Sequence, residues 1–281
     1  MNKNIIFFPL FVIVFAIVGD FCQKQTKGFR LQNILSLNAT GPIEEETSAY
    51  LETKKILSQP FYFLKKGQQC FVFQSKDKKY VLKFLRADKL KIPVWKEYLP
   101  SYLTNSSRLE RQKKWDFDFN SYRIAEKELY EETGLVHIQL GQSTPITHTL
   151  ELYDNIHVRY FLPLETKAFI LQRKTKDFYP YLQEQIAKGN IPILYPFFSS
   201  LAKQLQERKQ KGISDSDISL EYNMGICNED PVLFDIGNLI RQENIDLYQE
   251  ARLILASLQA LSPDLAIFFT EELFGSAQSR K

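Results

Sequence analysis

Cysteine is scarce in this chain, and so is any excess of charge. The 281 residues hold three cysteines, Cys22, Cys70 and Cys227. Their spacing fits neither a zinc-ligand pattern nor a disulfide framework, so free thiols are expected. A net charge of +3 is too small to mark a nucleic-acid surface, and no nucleic-acid partner is expected. There is no internal repeat and no low-complexity tract, which sets aside solenoid arrays. No apolar run reaches the roughly 20 residues that a full membrane span needs.

What is present is ordinary for a globular chain: 44% hydrophobic and 25% charged residues, with 22 Phe and 14 Tyr. At this length a large core can form. The amino terminus is the exception. Lys3 precedes an apolar run from Ile5 to Val18, which suits the core of a signal peptide or an anchor. The run ends at Gly19-Asp20 without a small-x-small cleavage site, and Gly-Asp-Phe before Cys22 argues against a lipoprotein signal. Residues 1–20 are therefore read as a signal peptide or membrane anchor, making the protein exported or anchored; the alternative is a buried helix. Residues 21–54 read as a polar tether and a helix, which follows the Gly41-Pro42 break and opens on the acidic Glu44-Glu45-Glu46.

Strong β signals follow at 61–67, 69–75 and 80–85, rich in aromatic and branched residues. They predict a three-stranded antiparallel meander. Lys83 lies inside the most apolar of the three and shares a face with Val81 and Leu85. Either it meets an anionic partner or it snorkels from an edge strand. Residues 86–120, with Pro93, Pro100 and both tryptophans, read as an insertion. A helix is expected from about Ser121, a plausible N-cap, to Thr133, with Gly134 as its stop. Strands are expected at 135–140, 147–152, 157–162 and 168–173. Helices are expected from near Asp177, over 193–211, over 246–261 and over 265–274.

Between these helices lies residues 213–238, ISDSDISLEYNMGICNEDPVLFDIGN. Asp215, Asp217, Asn223 and Asp235 bring hard oxygen ligands to two short strand candidates, as a magnesium ion on a polyphosphate requires. The plain alternative is an exposed hairpin whose Asp, Asn and Gly only form turns.

The order of these features resembles the protein-kinase-like family over about residues 55–260. The stretch Lys65-Lys66-Gly67-Gln68-Gln69-Cys70-Phe71-Val72 is similar to the glycine-rich loop, with the middle glycine kept as Gly67. Tyr80-Val81-Leu82-Lys83 resembles the motif that ends in the phosphate-binding lysine. The resemblance implies that Lys83 pairs with a helix glutamate, Glu126 or else Glu132. It implies that Asn223 and Asp235, the latter in Asp235-Ile236-Gly237, hold metal, and that Asp217 or Asp215 orients the attacking hydroxyl. No His-Arg precedes either aspartate, two loop glycines are gone, and only 44 residues follow Gly237. The implied fold is α+β and two-lobed: an antiparallel sheet plus helix over 55–175, with the insertion at 86–120, then a reduced, mostly helical lobe over 176–281. The implied cofactors are ATP and Mg2+. The alternative within this fold is a catalytically inactive pseudokinase that binds a protein partner.

A second stretch, Lys127-Glu128-Leu129-Tyr130-Glu131-Glu132-Thr133-Gly134-Leu135, resembles the second half of the Nudix box. That likeness implies a pyrophosphohydrolase with Glu128, Glu131 and Glu132 on magnesium. The upstream glycine and glutamate of that box are replaced by Lys113 and Phe119.

Overall fold

A computed structural model describes residues 4–37, 47–89, 98, 101–141, 144–215 and 217–275. The expected Gly41-Pro42 break, the Glu44–Glu46 helix start, Pro93, Trp95 and Pro100 lie outside these residues. The fold is α+β, with one unit dominated by an antiparallel sheet and one mostly helical, the two ingredients of the kinase-like expectation. One compact unit comprises Met1–Pro100 and Gln139–Leu171, the other Ser101–Ile138 and Gln172–Lys281. The sequence placed the division at 175/176 and assigned the 121–133 helix to the sheet region.

The first unit is built on the meander β1 (Phe61–Lys66), β2 (Cys70–Ser75) and β3 (Tyr80–Leu85). Neighbours run antiparallel, Val72 facing Lys83 and Phe73 facing Leu82. The meander belongs to a seven-stranded sheet with β4 (Leu135–Gln139), β5 (Thr149–Tyr153), β6 (Arg159–Pro163) and β7 (Phe169–Arg173), in the order β4-β7-β3-β2-β1-β5-β6; residues 135–138 of β4 and 172–173 of β7 count with the second unit. β3 therefore has a strand on each side, which removes the edge-strand reading of Lys83. Both faces of β3 are covered: Val81, Leu82, Phe84 and Leu85 are all buried. Phe29, Phe71, Phe73 and Phe84 are fully buried and meet edge to face, with centroids 5.1–5.9 Å apart in the contacting pairs.

The expected tether is a structural strap instead. After helix α1 (Asn4–Gln25), Phe29 is buried in that aromatic cluster. Leu35 N–H donates to Leu85 O at 2.8 Å, Ala168 N–H donates to Leu35 O at 3.1 Å, and Leu37 N–H donates to Thr166 O. The strap thus takes up backbone groups at the ends of β3 and β7 that would otherwise lack partners. Helix α2 (Ser48–Leu57) follows, capped by the Thr47 side chain.

In the second unit, residues 101–128 form a single helix, α3 (Ser101–Glu128). Ser121 lies in its interior and is not an N-cap. Gly134, at φ +60, closes the turn after α3: its N–H reaches Glu131 O and Leu135 N–H reaches Tyr130 O. Helices α4 (Phe178–Ala187), α5 (Tyr195–Gln210), α6 (Leu247–Leu261) and α7 (Pro263–Phe274) supply the rest. Phe178 stacks on Phe197, and Phe198 meets Phe269, at the centre of this packing. Two small sheets complete the unit: β8 (Lys176–Asp177) beside the hairpin of β10 (Met224–Cys227) and β11 (Asp230–Leu233), and β9 (Ile213–Ser214) beside β12 (Ile240–Arg241).

Candidate functional site

The hairpin β10–β11 explains how a twelve-residue separation becomes a neighbourhood. Asn228 and Glu229, at φ 52 and 73, form its two-residue turn, the left-handed pair that matches strand twist. Met224 faces Leu233 and Gly225 faces Val232. Extending that register sets Asn223 opposite Phe234, and Phe234 N–H donates to Asn223 O at 3.0 Å. Asn223 and Asp235 thus leave the same end of one hairpin.

Two further segments converge on this end. Asn223 Nδ2 donates to the Asp217 carbonyl at 2.5 Å. Asn238 Nδ2 donates to the Asp217 carboxylate at 3.3 Å. Gly237 N–H turns back toward Asp235 Oδ1 at 3.4 Å. The segment after Asp235 is held by α3, where the buried Ser121 hydroxyl donates to Ile236 O at 2.5 Å and accepts from Leu239 N–H at 2.7 Å.

Asp215 and Asp217 are separated by environment. Asp217 is exposed, whereas Asp215 is 1% exposed. Asp215 Oδ1 accepts from Asp217 N–H at 3.1 Å, and Oδ2 makes no hydrogen bond. Burial pushes the Asp215 carboxyl up to about 6, against the Asp217 N–H bond and the Arg208 charge, which pull it down. Glu250 on α6 holds the same segment: its carboxylate accepts from Asp215 N–H at 2.8 Å and from the Ser214 hydroxyl. Asp215 is therefore a buried scaffold group, and Asp217 is the aspartate whose carboxylate is open to a ligand.

The donor set suits magnesium on a phosphate. With Asn223 Nδ2 committed as a donor, its Oδ1 is the end left to ligate, and Asp235 adds an exposed carboxylate. Magnesium on a nucleotide takes only one or two such protein ligands, the rest being phosphate oxygens and water. Among the described residues no three His, Cys, Asp or Glu side chains gather as an all-protein metal site.

The other predicted residues lie elsewhere in the chain. Lys83 is half-buried on the interior strand β3 of the first unit. Gly67 sits in the β1–β2 turn, where its N–H donates to Cys70 O at 2.8 Å and its carbonyl accepts from Arg86 Nη1 at 2.8 Å. Glu126 is on α3 in the second unit, exposed, with its carboxyl raised somewhat by desolvation against Lys127 and Arg123. Glu132, the other candidate, is bound to Arg208 Nε at 2.8 Å and lies 3.5 Å from Lys211 Nζ. Glu128 pairs with Arg241 and Glu131 with Arg173. The three glutamates of the Nudix-like stretch are thus each tied to a different arginine. A polar cavity of about 310 Å³ in the second unit is lined by Glu131, Glu132, Arg173, Lys203 and Gln204 among others, and Asp217, Asn223 and Asp235 are not among its walls.

Ser121, Asn238 and Glu250 were missed in the sequence. Glu250 carried a signal: it lies on the apolar stripe Leu247, Ala251, Ile254 and Leu258 of α6, where a carboxylate needs a partner.

No protein-family profile matches this chain, and no curated protein sequence matches it. Among solved structures it is similar to WbdD. A 2.2 Å crystal structure of WbdD aligns at 13% identity over 74% of this chain and 37% of that one, with a TM-score of 0.36. A second, described as the bifunctional kinase-methyltransferase WbdD, aligns at 14% identity over 72% and 34%, with a TM-score of 0.34. A co-crystal of WbdD with a kinase inhibitor gives 13%, 72% and 37%, with a TM-score of 0.35. The chain spans little more than a third of the length of these proteins.

Proposed function

We propose that this chain is a divergent kinase-like protein that binds ATP with magnesium and transfers a phosphoryl group. The observation that carries the reading is the gathering of Asp217, Asn223, Asp235 and Asn238 at one end of the β10–β11 hairpin. In this reading Asn223 and Asp235 hold the metal, which neutralises charge on the phosphates when bound. Asp217, fixed through its carbonyl and its carboxylate, orients the attacking hydroxyl. Lys83 supplies the phosphate-binding cation. Asp215 keeps the loop in place and touches no substrate.

The test is thermal unfolding of the full chain with and without ATP and magnesium. The wild type is expected to gain stability, and Asp235→Ala and Lys83→Ala are expected to lose that gain. Asp217→Ala should keep nucleotide binding while losing transfer. A wild type that shows no shift would remove the nucleotide from the reading.

One observation favours the non-catalytic alternative, a pseudokinase that binds a protein partner. The β1–β2 turn is short, and both Gly67 O and Gln68 O accept from Arg86 Nη1. With Gly67 N–H already donated to Cys70 O and one glycine of three kept, this loop offers fewer free N–H groups to a phosphate. Nucleotide binding without turnover on any acceptor, including water, would select this alternative.

A further inference from the structure

Helix α1 carries large apolar side chains into solvent. Val14, Phe15, Ile17, Val18 and Phe21 are 51–72% exposed. At 100° per residue they fall within an arc of roughly 160°, so they form one face. Contiguous exposed apolar surface of this kind marks an interaction site.

The end of that helix is built into the first unit. Gln25 O accepts from Asn155 Nδ2 at 2.9 Å, which joins α1 to the β5–β6 turn. In that turn Ile156 and Val158 are 47% and 44% exposed. The turn is rigid, because Asp154 Oδ1 accepts from Ile156 N–H and Val158 N–H at 3.0 and 2.9 Å. Next along the chain, Phe29 packs against Tyr160 with centroids 5.8 Å apart. The end of the helix that bears the apolar face is thus fixed to this turn.

Cations surround the junction. Lys27, Arg30 and Lys66 are exposed. Lys66 Nζ lies 2.9 Å from where a side chain on Gly28 would begin, and Lys27 Nζ lies 5.9 Å over the Phe63 ring. Lys24 is partly neutralised by Asp20 at 2.7 Å.

Apolar side chains edged by lysine and arginine match a bilayer with anionic headgroups: the first partition into the acyl boundary and the second meet phosphate. We propose that the first unit docks on an anionic lipid surface through the exposed face of α1 and the basic residues at its end. Among the described residues no helix is long and apolar enough to cross a membrane, and docking on a surface requires no crossing. It is independent of the nucleotide reading, since vesicle binding needs no ATP.

The experiment is flotation of the full chain with vesicles of phosphatidylcholine alone and of equimolar phosphatidylcholine and phosphatidylglycerol. Preferential flotation with the anionic vesicles, weakened by salt, is expected. Lys27→Gln, Arg30→Gln and Lys66→Gln should each lower partitioning roughly five-fold at low salt. These side chains are exposed, so the variants should fold. Phe15→Ser with Ile17→Ser should lower binding to both vesicle types. Equal binding to both vesicle types, binding to neither, or charge variants that match the wild type would overturn the proposal. So would lipid-free self-association abolished by Phe15→Ser with Ile17→Ser, because the face would then cover a second copy of the chain.

Discussion

Two desolvated titratable groups in the second unit, the buried Asp215 and the part-buried His137, pull stability in opposite directions over the same pH window. Burial raises Asp215 from 3.8 to about 6 and lowers His137 from 6.5 to about 4. Each shift is worth ~3 kcal/mol at 1.36 kcal/mol per pH unit, a large share of a typical folding free energy of roughly 5–15 kcal/mol. Between about pH 4 and 6 the folded chain keeps a proton on Asp215 that the unfolded chain has lost. This contribution therefore falls as pH rises. Over about pH 4 to 6.5 the unfolded chain binds a proton at His137 that the folded chain refuses, so this contribution rises with pH. In the wild type the two nearly cancel.

Substitution separates them. Asp215→Asn leaves only the His137 contribution. Its unfolding free energy minus that of the wild type should climb by ~3 kcal/mol between about pH 4 and 6, then stay level. The level itself depends on how Arg208 tolerates the loss of a nearby charge; the climb does not. His137→Phe should show the mirror image, the difference falling as pH rises. The assay is urea unfolding followed by circular dichroism across this range, for the wild type and both variants. Arg208→Met should move the Asp215 window to higher pH, because the guanidinium charge is one of the groups that hold that carboxyl down. A difference curve for Asp215→Asn that stays flat from pH 4 to 6.5 would refute the desolvation argument. It would place Asp215 among ordinary solvated carboxylates.

Two other substitutions probe the hairpin and its anchor. In Gly225→Ala the new Cβ would meet Thr175 Cβ and Oγ1 at 2.4 Å and Lys176 O at 3.0 Å; loss of roughly 1–3 kcal/mol is expected by thermal unfolding, relieved in Gly225→Ala with Thr175→Gly. In Ser121→Ala the Ile236 carbonyl and the Leu239 N–H lose their buried partner. About 1–3 kcal/mol should be lost, with faster amide exchange at Gly237–Leu239 and unchanged exchange in β1–β3.

The meander was legible because its information is local. Aromatic and branched residues alternate over 61–85 with a polar turn at 76–79, and the strands pair with their neighbours in sequence. The strap was not legible, because Leu35 bonds to Leu85 and Ala168, partners that no short window contains. Ser121 was misread for the same reason. A serine before an apolar run is the mark of an N-cap, yet its hydroxyl serves Ile236 and Leu239, more than a hundred residues away. At the candidate site the spacing of Asn223 and Asp235 could be read, since a hairpin fixes it. The difference between Asp215 and Asp217 could not. It rests on the burial of Asp215, in a segment whose backbone is held by Glu250 on the later helix α6.

The contacts around residues 213–239 also bear on whether turn formers and ligands are rival readings of the same residues. Asp215 N–H is held by the Glu250 carboxylate, Asp217 N–H by the Asp215 carboxylate and Leu239 N–H by the Ser121 hydroxyl, while Asn223 N–H and Phe234 N–H go to the backbone carbonyls of Ser219 and Asn223. Aspartate, asparagine and serine here do what turn residues do: they bind backbone groups in a segment with little regular structure. That work uses Asp215 Oδ1, Asn223 Nδ2 and the Ser121 hydroxyl. It leaves Asn223 Oδ1, Asp235 Oδ2 and Asp217 Oδ1 on a backbone fixed at several points, the other oxygen of each carboxylate meeting Gly237 N–H and Asn238 Nδ2 respectively. A cation–phosphate site needs oxygens whose positions are set before the ligand arrives. The structural role of one set of polar atoms is thus the condition for a binding role of the other, and a substitution such as Glu250→Gln should weaken ligand binding without touching a ligand.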